Sequence, residues 1–391
     1  MPEGAIVAIQ PRLWGDLPDA PVAPWSPPAG VMRPVEWRAM DEFGAVLAWD
    51  ALAQWASEPN PFYESWYLLP ALRGMAGDRV RILRYEVDGE LAGLLPVHRS
   101  MRYYGHPVPH VANWLHPNGF IGAPLVARGM ERGFWRALLG WADRQLGLFL
   151  HLGEMPMTGA LVEALRHVLG EQGRVSALVA QRNHVMLQSD MSAQDYFEAS
   201  VSGKKRKEYR RQASRLGELG EVAFVRQRGG QGLAQWAEDF LALEAAGWKG
   251  EARSALACAP ATAALWRESL AGAAARGRLE RLAMTLDGRP VAMLATFLAP
   301  PAGFMFKTAF DESLAAYSPG VLLQRENMAM LGAKDIAWVD ACAGEDHPMI
   351  SHLWRERRPV GRVSIALGGA ARRAVFGALA RRELGGRPFG I

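Results

Sequence analysis

The sequence predicts a mixed α/β chain made of two copies of one unit, each a mostly antiparallel central sheet flanked by helices. Three observations carry this reading. Arg79 to Val97 reads as strand, Asp88-Gly89, strand, and Leu279 to Phe297 reads as strand, Asp287-Gly288, strand. An Asp-Gly pair between β-rich runs is a strong two-residue hairpin signal. Each hairpin is preceded by helical sequence and followed by another strand and a helix, as a duplicated unit requires. The third observation is size: 391 residues, half of them hydrophobic, exceed what one ordinary core organises.

In chain order, residues 1–36 form a proline-rich arm expected to lie on a domain surface through Trp14 and Trp25. The first domain, 37–195, opens with an apolar-periodic helix from Met40 to about Glu58, which Asn60-Pro61 breaks. A helix over Ser65–Ala71, the first hairpin, a helix over Glu131–Leu146 and a strand over Leu148–Leu152 follow. Residues 196–220 read as a basic connecting helix, with Lys204, Lys205, Arg206, Lys207, Arg210, Arg211 and Arg215 offset within 204–215 only by Glu208. The second domain, 221–368, holds the second hairpin, a buried strand at Phe304–Phe306, a helix over Val321–Leu331 and a strand over Ile336–Cys342. Residues 369–391 close the chain as an alanine-rich basic helix with Arg372, Arg373, Arg381 and Arg382.

Composition excludes several classes. A formal charge of +4 is modest for this length and gives no reason to expect DNA binding. Two cysteines far apart, Cys258 and Cys342, fit a reducing compartment rather than a disulfide scaffold. No apolar run reaches the roughly 18 residues of a bilayer span, and no signal-peptide pattern opens the chain. A cytoplasmic location is expected. The nine histidines show no ligand spacing, so no metal is expected. No Gly-x-Ser-x-Gly elbow, Walker loop or dinucleotide fingerprint is present.

The chemistry concentrates in residues 303–323. Lys307 follows an aromatic strand and precedes a helix start at Ser318-Pro319-Gly320, where unpaired N–H groups favour an anion. Lys307 is the first catalytic candidate, for an oxyanion or a phosphate, and Asp311 and Asp340 are candidate bases. Ser318 and Gly320 would hold a phosphate or an oxyanion through backbone donors, with Tyr317 just before them. Glu244 and Trp248, one helical turn apart, would grip a sugar. Trp114, His116 and Asn118 stand in a polar loop suited to an acceptor cleft. Each residue also has a structural reading. Lys307 can snorkel at a strand end, Asp311 can shape a turn, Asp340 can cap a strand, and Trp248 can fill a core. The basic helix is either a solvated connector or a polyanion contact over 204–215, for CoA phosphates, a nucleotide-sugar diphosphate, tRNA or an acidic lipid surface. Weak membrane-surface association of the C-terminal helix stays open.

These residues together resemble a known family. Ser202-Gly203-Lys204-Lys205-Arg206, Glu244, Trp248-Lys249, Phe306-Lys307-Thr308-Ala309-Phe310-Asp311 and Tyr317-Ser318-Pro319-Gly320 resemble, in order and spacing, the GNAT-type acyltransferases of the cellulose-biosynthesis (CelD/BcsL-like) group. Asn60-Pro61-Phe62, Trp66 and Leu94-Leu95-Pro96-Val97 are similar to the same group, less specifically. The resemblance implies two tandem GNAT-like domains, related in architecture to Fem-type aminoacyltransferases. It implies acyl transfer, most simply acetyl from acetyl-CoA, to an amine of an exopolysaccharide or cell-envelope precursor. Lys204, Lys205 and Arg206 would then meet the donor's phosphates, Ser318 and Gly320 its pantetheine, and Tyr317 would protonate the leaving thiolate. Two departures leave alternatives. The Arg/Gln-x-x-Gly-x-Gly/Ala loop of acetyl-CoA-binding GNAT domains is missing, and Gly344-Glu345-Asp346-His347-Pro348 replaces a Tyr-Lys pair. Aminoacyl transfer from tRNA, or a non-catalytic scaffold binding glycan precursors, are the other readings.

Overall fold

The computed structural model describes residues 30–76, 79–386 and 390–391. Trp14, Trp25 and most of the proline-rich arm lie outside the described residues. The end of that arm is not an arm: Val31–Glu36 forms edge strand β1, paired antiparallel with β2 (Val80–Val87).

The first half continues with α1 (Phe43–Trp55), α2 (Ser65–Met75), β3 (Glu90–Ser100), β4 (His110–Asn113), β5 (Leu125–Val126), α3 (Glu131–Asp143), β6 (Phe149–Pro156), α4 (Ala160–Glu171) and β7 (Ser176–Leu187). The second half holds α5 (Ala193–Ser200), α6 (Gly203–Gly217), β8 (Val222–Arg228), α7 (Leu233–Ala246), α8 (Trp248–Glu251), α9 (Pro260–Ala275), β9 (Leu279–Leu286), β10 (Arg289–Ala299), β11 (Ala302–Phe310), α10 (Pro319–Asn327), β12 (Trp338–Gly344), β13 (Glu356–Ala366) and α11 (Ala370–Glu383). Both Asp-Gly pairs make the expected hairpins. Asp88 and Gly89 take φ 52° and 85°, and Asp287 and Gly288 take 49° and 79°, the doubly positive geometry of a type I′ turn.

All strands join one sheet in the order β1-β2-β3-β4-β6-β13-β7-β12-β11-β10-β9-β8, with β5 beside β3. The order is a near mirror about its centre, and the centre is exchanged. β13, from the end of the chain, lies beside β6, while β7 of the first half lies beside β12. A sequence cut between 195 and 221 is therefore not a cut between sheets, because each half completes the other's sheet.

Aromatic packing locks the halves together. Asn60 accepts the Phe62 N–H and donates to the Ile121 and Ala123 carbonyls, which fixes the Pro61–Tyr63 turn. That turn drives Phe62 against Phe304 and Phe306 of β11, and α2 sets Trp66 edge-on to Phe297 at 4.8 Å. A Cβ on Gly272 of α9 would stand 2.8 Å from the Trp66 Cβ, so glycine there permits the α2–α9 approach. No helix among the described residues is long and apolar enough to cross a membrane.

Candidate active site

β11 and β12 run parallel only through Ala302–Trp338, Gly303–Val339 and Phe304–Asp340, then part. Both strands are irregular where they separate. The β10–β11 register steps from Thr296–Met305 to Ala295–Lys307 and leaves Phe306 without a partner on β10. The β7–β12 register steps from Asp340–Met186 to Gly344–His184, and Cys342 takes a left-handed φ of 51°. Two bulges thus face each other across a cleft of about 530 Å³, lined by Phe306, Lys307, Thr308, Lys249, Gln324, Cys342 and His347 among others. Bulges that interrupt pairing re-aim side chains and free backbone donors.

Lys307 faces this cleft. Its Nζ lies 5.4 Å from the Phe120 ring centre and 5.8 Å from that of Phe306, and it has no hydrogen-bond or carboxylate partner among the described residues. Burial, then the nearby Lys249 ammonium, push its pKa down to about 8. Burial and the Lys307 charge together hold His116 at about 4.

The other predicted residues divide. Asp340 is a correction. It is fully buried and bonded by His184 Nδ1 at 3.0 Å, Arg358 Nη1 at 3.0 Å and the Cys342 N–H at 2.7 Å. Burial alone would raise its pKa, but the His184 and Arg358 partners hold the carboxyl at about 2, so it is no base. Asp311 accepts the Ser313 N–H at 3.0 Å and its hydroxyl at 2.6 Å, shaping a turn outside the cleft wall. Tyr317 lies beneath the Arg215 guanidinium, 5.8 Å away, and also outside the wall.

The proposed anion cradle is largely closed. Pro319 has no N–H, and the Val321 and Leu322 N–H groups both donate to the Ser318 carbonyl, leaving Gly320 alone in that turn. Gly320 is covered: a Cβ there would stand 2.8 Å from Met349 Sδ and 3.1 Å from Phe310. Ser318, at φ 54°, makes no side-chain cap.

Glu244 and Trp248 both line the cleft, but the Glu244 carboxylate is already engaged within the protein. Glu244 is buried, its Oε1 2.8 Å from Lys249 Nζ and its Oε2 accepting the Leu256 N–H at 2.8 Å. Trp248 is 57% exposed at the rim. The Glu244 carboxylate ties down the segment 247–256. Glu244→Ala is expected to cost about 2–4 kcal/mol by urea unfolding, because it removes the carboxylate partner of Lys249 and leaves the buried Leu256 N–H unpaired.

Trp114 and Asn118 are buried, their carbonyls accepting the Tyr63 and Tyr67 hydroxyls at 2.9 and 2.5 Å. Of that loop, His116 reaches a cavity. Lys204 and Lys205 are exposed on α6 and Arg206 half-buried; Lys205 pairs with Glu208 and Arg206 with Glu198. α6 packs against the turn Glu312–Tyr317, whose Glu312 lines the cleft.

The first half repeats the parting of strands but fills it. β4 and β6 pair at Val111–Leu150 and Ala112–His151. Beyond that point Asn113 donates to the Gly153 and Gly122 carbonyls and accepts the Gly153 N–H at 2.8 Å. A Cβ on Gly122 would meet the Gly153 oxygen at 2.0 Å, so the loop is wedged between the strands.

Sequence reasoning missed Cys342, Gln324 and His347. Cys342 is half-buried, and burial and the Asp340 charge keep its thiol well above the usual range, so it stays protonated. Gln324 is 2% exposed, with Nε2 3.5 Å from Thr308 Oγ1 and an Oε1 that has no protein partner among the described residues. A glutamine in the middle of α10 gave no sign of facing a cleft.

Residues 203–347 match the acetyltransferase (GNAT) domain family. This segment is a GNAT-type acetyltransferase domain, and the chain is an acyltransferase. The solved structure of FemX is similar over 86% of this chain and 98% of its own, with 10% identity and a TM-score of 0.53. A conserved protein of unknown function from Bacteroides thetaiotaomicron is similar over 82% and 97%, with 12% identity and a TM-score of 0.51. At such identity the likeness is one of fold. No curated protein matches the sequence.

Proposed function

We propose that this GNAT-type acyltransferase moves an acyl group, most simply acetyl from acetyl-CoA, onto an amine of an exopolysaccharide or cell-envelope precursor. The unpaired ammonium of Lys307 at the parting of β11 and β12 carries the reading. A cation with no carboxylate to neutralise it, in a low-dielectric cleft, attracts the negative charge that develops on a thioester oxygen under attack. In this reading the acyl carbonyl lies between Phe306 and Cys342. The amine arrives from the His116 side, the new C–N bond forms as the C–S bond breaks, and the amine's proton leaves with the thiol. The buried oxygen of Gln324 would accept an amide N–H of the donor's arm.

Because the first turn of α10 is covered, the donor's phosphates would be met instead by α6. Lys204, Lys207, Arg210, Arg211 and Arg215 are exposed there, without carboxylate partners among the described residues. The resemblance to the cellulose-biosynthesis group supports an envelope or exopolysaccharide acceptor, and a cytoplasmic setting follows from a CoA donor. Thermal melts test the donor. Acetyl-CoA at about 100 times its Kd is expected to stabilise by about 2.7 kcal/mol, and nucleotide-sugars by less. Stabilisation by nucleotide-sugars with no response to any thioester would favour a glycan-binding scaffold. Stabilisation by aminoacyl-tRNA alone would favour Fem-type transfer.

A further inference from the structure

A second cavity, of about 590 Å³, opens beside the first and shares Cys342 with it. Its walls bring together strands far apart in sequence: His98 of β3, His110 of β4, His151 and Glu154 of β6, Arg182 of β7 and Arg362 of β13, with Arg102 and His116 from loops. His116, in the wall of this cavity, is close enough to Lys307 to feel its charge.

The lining has an excess of positive charge. Arg182 Nη2 lies 2.8 Å from Glu154 Oε2, and Arg362 Nη2 lies 3.2 Å from Glu154 Oε1, so two guanidinium groups divide one carboxylate. Arg102 has no carboxylate partner among the described residues. The histidines add no acid. His110 Nδ1 is tied to the Val108 carbonyl at 3.0 Å and His151 Nδ1 to Ser364 Oγ at 3.0 Å, which fixes both rings. His98 Nδ1 is buried without a partner. Burial holds all three below the usual imidazole range, His151 at about 4, so they do not add to the charge of the cavity at neutral pH.

Three guanidinium groups against one carboxylate suit a phosphate, which guanidinium groups bind in bidentate fashion. A neutral sugar would leave the excess charge unanswered. We propose that this cavity holds the anionic end of the acceptor, a phosphate-bearing amine whose amino group reaches the cleft past Cys342 and His116. The proposal rests on the acyl-transfer reading and adds the acceptor's chemical class.

Acetyl transfer from acetyl-CoA to glucosamine 6-phosphate and to glucosamine, followed by thiol release, tests it. The expected kcat/KM ratio favours the phosphate by about tenfold or more, through KM, and Arg102→Glu is expected to bring that ratio close to one. Arg102 is exposed and partnerless, so folding is little at risk. Calorimetry with inorganic pyrophosphate gives a second readout, with binding expected in the wild type and weakened in Arg102→Glu. Equal use of the two amines, with pyrophosphate binding that survives Arg102→Glu and disappears in Lys207→Glu/Arg210→Glu, would overturn the proposal and assign the anion to α6. If neither amine is acetylated but Arg102→Glu still removes pyrophosphate binding, the anion site stands and the acyl-transfer reading falls.

Discussion

Lys307→Met lowers kcat by about 10²–10³-fold, the loss seen when one oxyanion donor is removed, and at the same time raises the melting temperature. The two effects share one cause. The ammonium is half-buried against Phe120 and Phe306 with no carboxylate in ion-pair contact among the described residues, and its pKa falls from 10.5 to about 8. A lysine depressed on folding binds fewer protons folded than unfolded, so stability rises with pH between about 8 and 10.5 and the penalty is fully present below pH 8. Methionine removes at neutral pH a penalty of at most about 3 kcal/mol, less whatever water screens. A residue that destabilises the fold and is needed for turnover marks a site where function is kept at the expense of stability. The rate follows the same titration. As the ammonium is lost, kcat falls above about pH 8, whereas Lys307→Arg keeps its charge and loses that descending limb. A Lys307→Met enzyme with undiminished kcat would remove the residue from the chemistry.

Arg358→Ala is the substitution with the largest expected cost to the fold. Arg358 bridges Asp340 at 3.0 Å and Glu58, and its guanidinium lies 4.5 Å from the Trp338 ring centre. Glu58 follows α1 in the first half, Asp340 is in β12 and Arg358 is in β13, so one side chain ties the exchanged strand to both halves. Removing it leaves the buried Glu58 carboxylate without its guanidinium and takes one of three partners from the buried Asp340, a loss of about 3–5 kcal/mol by analogy with other broken buried pairs. Chemical denaturation at several pH values reads the effect and its origin. The depressed Asp340 carboxyl contributes stability that is present above its unfolded value of 3.8 and lost as pH falls through about 2. Without Arg358 the two carboxyls take up protons more readily, so the variant's deficit is widest near neutrality and narrows in acid. A deficit independent of pH would point to lost packing on Trp338 instead.

What the sequence disclosed was local. The Asp-Gly turns were legible because doubly positive φ at two adjacent positions selects those residues. The basic helix was legible from charge spacing, and Lys307 from its isolation beside an aromatic strand. The exchange of β7 and β13 was not, because register between strands so far apart leaves no periodic trace in either. Asp340 was read as a possible base for the same reason. Its partners His184, Arg358 and Glu58 converge from separate segments, Arg358 and Glu58 being 300 residues apart. The covering of α10 by Met349 is likewise a contact between distant segments that no helix-start signal reveals. The second cavity draws its positive charge from β7, β13 and a loop, one guanidinium from each.

A crystal structure with a ketone analogue of acetyl-CoA, in which a methylene separates sulfur from the carbonyl, examines the account at its centre. The carbonyl oxygen should lie between the bulges at Phe306 and Cys342, within hydrogen-bond reach of the Lys307 ammonium, with the phosphates along α6. A carbonyl bound away from the parting of β11 and β12, or facing the Asn113-filled gap of the first half, would contradict it.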